Sequence, residues 1–109
     1  MKMTDCPFTV VDWNRLVPEE HKGDPGTATW RTRMCGEIRT RLVEYSPGYV
    51  ADHWCKKGHV LFVLEGELET TLHDGSTFVL YPGNGYVVAD DVAPHKSATK
   101  TGAKLFIVD

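Results

Sequence analysis

From Ala28 onward, apolar and polar positions alternate in short runs, and Gly, Pro or Asp closes almost every run. A period of two sends successive side chains to opposite faces, so each run reads as a half-buried strand. The runs predict strands over residues 28–34, 37–45, 59–64, 67–73, 76–81, 86–89, 95–99 and 104–108. None sustains the period of a helix. Two connections are tight: Glu65-Gly66-Glu67, and Asp74-Gly75, whose residues tolerate the left-handed backbone of a hairpin turn. About eight short strands at this spacing predict an antiparallel sandwich or barrel, with the last run inside the sheet.

The first thirty residues read differently. Residues 8–13 predict one short strand, whereas residues 19–26 form a polar, breaker-rich loop. The expected division is an arm over residues 1–30 and a β-barrel over residues 31–109. Open sheet edges are aggregation hazards that proteins cover. The strand over 8–13 is therefore expected to cover the barrel edge or to pair with a neighbouring subunit. Two-fold dimers are the commonest closed assembly, and a homodimer is the expected state.

Composition narrows the partners. Hydrophobic residues make up 41% of the 109 and charged residues 25%, the profile of an ordinary globular domain. A net charge of -3 provides no general attraction to nucleic acid or anionic lipid. No stretch approaches the roughly 20 apolar residues of a membrane helix. Residues 1–10 lack a long apolar run, so no secretory signal is expected. The three cysteines, Cys6, Cys35 and Cys55, are odd in number and widely spaced. Free thiols and a cytoplasmic location are the expectation.

The candidate chemistry lies in His53, Cys55, His59 and His95. His53 and Cys55 are two apart, so an extended segment would present both on one face. His59 opens the next apolar run, and His95 follows the Ala93-Pro94 turn. Imidazole and thiolate both ligate zinc, iron, nickel and copper, and the inward positions of a barrel converge on one axis. Arg39 and Arg41 alternate on one face of their strand, where they would hold a substrate carboxylate bidentately if that face looks inward. Tyr81 and Tyr86 flank the loop over residues 82–85, with Tyr86 at the expected pocket mouth.

These residues resemble the two motifs of the cupins. The first, Gly-x5-His-x-His-x3–4-Glu-x6-Gly, is similar to the stretch from Gly48 through His53, Cys55 and His59 to Gly66. His59 stands where the glutamate would be, Cys55 where the second histidine would be, and His53 where the first would be. The second motif is similar to Gly75, Pro82-Gly83 and Pro94-His95, with Thr99 in place of its closing asparagine. Asp52-His53-Trp54-Cys55 also resembles the label of a small cupin group with an Asp-His-Cys-Trp motif.

The resemblance implies a double-stranded β-helix, or jelly-roll, and one divalent transition metal. The ion would be held by His53, His59 and His95, with Cys55 as a fourth ligand or a bystander thiol. Asp52 would orient a ligating histidine. Loss of the carboxylate and gain of sulfur favour Zn, Ni or Cu over Mn, and Fe remains open. The expected function is binding or transformation of a small metabolite, dioxygenase- or isomerase-like. The alternative is a non-catalytic module that binds or senses a small ligand, metal-free or with a structural metal. Fold alone does not choose between them.

Overall fold

The computed structural model describes residues 2–109. Nine strands carry the fold: β1 (Glu19–Lys22), β2 (Thr27–Cys35), β3 (Ile38–Tyr45), β4 (His59–Gly66), β5 (Leu68–Leu72), β6 (Thr77–Leu80), β7 (Gly85–Val88), β8 (His95–Ala98) and β9 (Ala103–Val108). They form a six-stranded sheet in the order β1-β2-β3-β9-β4-β7 and a three-stranded sheet in the order β6-β5-β8. Every pairing is antiparallel. Residues 50–55 then run along β8 through the bridges Val50–Ala98 and Cys55–His95, which widens the small sheet. This is a jelly-roll. The last run, β9, lies between β3 and β4.

Alternation decides what lies between the sheets. Val43 and Tyr45 of β3, Leu61 and Val63 of β4, and Leu105 and Ile107 of β9 face inward and meet Leu68 of β5. Burying one such aliphatic side chain contributes roughly 1.5–3 kcal/mol. The same inward rows turn polar toward one end. Val43 is followed at two-residue steps by Arg41 and Arg39, Leu61 by His59, and Ile107 by Asp109. Register aligns these ends, because Arg41 and Leu61 both pair with Ile107, and Leu61 also pairs with Tyr86. One step further, Arg39 and Asp109 exchange both backbone hydrogen bonds, of 2.6 and 2.9 Å. The barrel therefore has an apolar end and a polar end.

Tight backbone approach selects glycine at Gly66. It lies at φ +76°, and a Cβ there would collide with the Gly102 carbonyl oxygen. A left-handed backbone against a neighbouring strand leaves no other residue at ease.

Three expectations need correction. Residues 8–13 form no strand: they lack a partner edge, and Phe8 is 97% exposed. Asp12 instead caps a 3-10 helix, Trp13–Arg15, by accepting a hydrogen bond from the Asn14 amide. The Trp13 ring then packs edge-on against Phe106 of β9, and its Nε1 donates to Thr40 Oγ1. The polar stretch over 19–26 contains a strand, since β1 pairs with β2. Backbone pairing with an available edge outweighs the weak strand preference of Glu and Lys.

The third correction concerns sulfur. Cys6 and Cys35 form a disulfide, so only Cys55 is free. The bond ties the N-terminal segment to the end of β2, 29 residues further along the chain. Among the described residues no helix is long and apolar enough to cross a membrane.

Candidate metal centre

Three side chains with metal-ligating atoms meet at the polar end of the barrel. Cys55 Sγ and one ring nitrogen each of His59 and His95 all lie within 4.8 Å of one another. Each is positioned by a different element. Cys55 is pinned to β8 by paired backbone bonds with His95, of 2.8 and 2.9 Å. His95 opens β8 directly after the Ala93-Pro94 turn, and its Nδ1–H donates to the Ala93 carbonyl at 2.9 Å. His59 opens β4 opposite Val88 of β7, with its Nε2 3.0 Å from the Tyr86 hydroxyl.

Those contacts leave one nitrogen free on each ring. His95 Nε2 and His59 Nδ1 are buried and have no hydrogen-bond partner. An unpartnered buried polar atom costs about 1–3 kcal/mol unless something binds it. Engaging one ring nitrogen while freeing the other is also how proteins prepare an imidazole for a metal. The donor set fits a borderline transition ion.

Electrostatics agree with the donor chemistry. Burial, reinforced by the charge of His95, lowers the His59 pKa to about 4, so its imidazole is neutral near pH 7 with a lone pair available. Close approach of the His95 ring holds the Cys55 thiol below its ordinary value, and the same approach raises His95. Thiolate is the ligating form of cysteine. Burial pushes the Tyr86 hydroxyl up, so it stays protonated beside His59.

Behind His59 lies a buried carboxylate. Asp109, with its side chain 1% exposed, accepts two hydrogen bonds from Arg39, at 2.9 and 3.0 Å, and one from Arg41 at 3.0 Å. Burial alone would push its carboxyl up. The Arg39 hydrogen bonds and the charges of Arg41 and Arg39 outweigh that and hold it below its ordinary value. Its Oδ2 stands 3.8 Å from His59 Nδ1. The Arg41 guanidinium also covers the Trp30 ring, 4.3 Å from its centroid.

The residues singled out from the sequence thus separate. Cys55, His59, His95 and Tyr86 come together. His53 does not: its side chain is 78% exposed and bonded to Asp52 at 2.6 Å. The cause is a bend at Asp52-His53, which breaks the shared face that an extended segment would have given His53 and Cys55. The expected set of three imidazoles is replaced by two imidazoles and a thiol. Asp52 orients only this outlying histidine. Arg39 and Arg41 do face inward, yet they grip Asp109 rather than an open space. Trp54 lies partly exposed between the His73 ring and Lys96. Asp109 was absent from the sequence reading, although the two-residue step from Leu105 and Ile107 marks it as inward-facing.

Beside His95 and Tyr86, between the small sheet and β7, opens a cavity of about 240 Å³. Its walls are mostly apolar.

Neither a family model nor a curated protein matches the sequence. Solved structures do match in shape. An RmlC-like cupin from Shewanella frigidimarina superposes with a TM-score of 0.76, over 96% of this chain and 92% of that one, at 18% identity. The chain has the cupin fold. The ectoine synthase of P. lautus gives a TM-score of 0.74 at 18% identity, covering 93% of this chain and 76% of that one. The polyketide cyclase RemF from Streptomyces resistomycificus gives 0.74 at 21% identity, covering 94% and 78%. At these identities the likeness establishes the fold. Within this cupin barrel, the motif positions of Cys55, His59 and His95 converge, and the position of His53 turns away.

Proposed function

We propose that this protein is a mononuclear metal cupin that binds or transforms a small metabolite at an ion held by Cys55, His59 and His95. One observation carries the reading: the Cys55 sulfur, its pKa lowered, and one ring nitrogen of each of two buried imidazoles lie within 4.8 Å of one another. A three-ligand set leaves a coordination position open, as catalytic sites do. When bound, a divalent ion in such a set supplies Lewis acidity toward an oxygen of the ligand.

The chain's own residues do the positioning. The Ala93 carbonyl fixes the His95 tautomer, and the Tyr86 hydroxyl fixes the His59 ring. The Arg39–Asp109–Arg41 cluster holds a carboxylate near His59. The flanking cavity shelters a ligand from water. The names of the ectoine synthase and polyketide cyclase neighbours support small-molecule chemistry in this fold. Zn, Ni, Cu and Fe(II) all suit the donors. We take the working form to be a homodimer. Half-exposed Val60, Phe62 and Leu64, three outward residues in a row on β4, support pairing of two copies.

The test is elemental analysis of the purified protein, as isolated and after incubation with Zn, Fe, Ni or Cu and desalting. Retention of one of these metals, lost in Cys55→Ser and His95→Ala, is the expected result. A protein that retains none of them overturns the reading and leaves a metal-free binding module. A second reading follows from the thiol itself: Cys55 and His95 as a thiolate–imidazolium pair in nucleophilic chemistry without metal. Labelling with iodoacetamide separates the two, because a bound metal protects Cys55.

A further inference from the structure

The cavity of about 240 Å³ beside the cluster shares His95 and Tyr86 with it, so whatever occupies the cavity touches the centre. It lies below the roughly 300–1,000 Å³ of drug-sized pockets and suits a small molecule. Leu72, Phe78 and Leu80 supply its walls, with half-exposed Phe78 at the rim, and no lysine, arginine, aspartate or glutamate lines it. The cations nearest the centre, Arg39 and Arg41, are both engaged by Asp109. Away from His95 and the centre, a carboxylate or ammonium buried in this space would therefore meet no opposite charge, and an unpaired charge is the costliest group to bury.

Polar groups in the lining are few. Tyr86 is engaged by His59. The others are His95, with its free Nε2, and Thr70, which is 3% exposed and whose Oγ1 has no partner. Two unpartnered polar groups beside an apolar space call for a ligand that is apolar over most of its surface.

We propose that the ligand is a small, mainly apolar molecule with a single hydroxyl or carbonyl head. The head sits at the Cys55–His59–His95 centre, and the body fills the space walled by Leu72, Phe78 and Leu80. Thr70 exchanges the one further hydrogen bond available. Dicarboxylates, amino acids and sugar phosphates are excluded, because each carries a second charge into the body region. This ligand class rests on the metal-centre reading for the placement of the head, and on the cavity alone for the nature of the body.

Two probes test it: 4-methylcyclohexanol and 4-hydroxycyclohexanecarboxylate, which share ring and hydroxyl and differ in the charge at the far end. Titrated by calorimetry into zinc-loaded protein, the alcohol is expected to bind at least tenfold more tightly. Leu80→Trp, which fills the cavity, is expected to lower alcohol affinity at least tenfold with zinc content unchanged. Thr70→Val should cost about threefold. Where Leu80→Trp does not fold, Leu72→Phe serves the same purpose. Equal or tighter binding of the carboxylate overturns the proposal, as does undetectable alcohol binding or indifference to cavity filling. The same titration on metal-free protein separates the two readings. A preference for the alcohol in protein that retains no metal keeps the ligand class and removes the metal centre.

Discussion

Cys55 and His95 stand directly opposite each other and exchange both backbone hydrogen bonds, so their side chains leave the same face toward one point. A backbone pair of this kind fixes the thiol–imidazole approach without help from side-chain packing.

Metal affinity should follow how each ring is held. Tyr86→Phe removes the hydroxyl on His59 Nε2 and retains the ring. Loss of such an orienting partner lowers metal affinity about 10–100-fold. Competition with a chromophoric chelator measures this, and an unchanged affinity would show that the hydroxyl does not orient the ring. His53→Ala should leave affinity unaltered, since His53 faces solvent.

Asp109→Asn should be the most damaging substitution at the polar end. It leaves Arg41, with a side chain 7% exposed, facing Arg39 without a carboxylate. Removing one partner of a buried pair costs about 3–5 kcal/mol. Arg39→Ala should cost less, because its side chain is 28% exposed and solvent screens it. Urea midpoints give the order.

The metal-free protein should weaken in acid through His59. The unfolded imidazole takes up a proton below pH 6.5, whereas the folded one resists until about pH 4. Between those values the unfolded state binds more protons. Stability is full above pH 6.5 and falls as pH drops through 4, by on the order of 3 kcal/mol at the limit. His59→Asn should flatten that slope in denaturation curves collected across the window.

Sulfur chemistry separates the three cysteines. In metal-free protein without reductant only Cys55 should react with a thiol reagent, and after reduction in denaturant all three should. Replacing Cys6 and Cys35 by serine should cost about 3.6 kcal/mol, the loop-closure value for a separation of 29 residues. Faster proteolysis of residues 2–12 should accompany it. Three reactive thiols in the untreated folded protein would return the sulfur to the state expected from spacing alone.

Assembly tests the outer sheet face. Phe62→Glu places a charge in the row of Val60, Phe62 and Leu64. Light scattering should show a dimer for the parent protein and a monomer for the variant. A monomeric parent would assign that face to something other than a second copy.

From residue 28 onward, the sequence by itself determined where strands run and which way their residues face. Alternation is a local property, which is why the run over residues 28–34 reappears as Thr27–Cys35 and the run over 104–108 as Ala103–Val108. The motif spacing likewise picked out His53, Cys55, His59 and His95, of which the last three come together. Tertiary structure alone decided which faces meet. Glu19–Lys22 became a strand because β2 offered an edge, and Cys6 reached Cys35 because the arm folds back over the end of β2. A bend carried His53 outward, and the register of β3 and β9 placed Arg39 and Arg41 on Asp109. Each of these outcomes depends on contacts between residues far apart in the chain, and no local pattern encodes them.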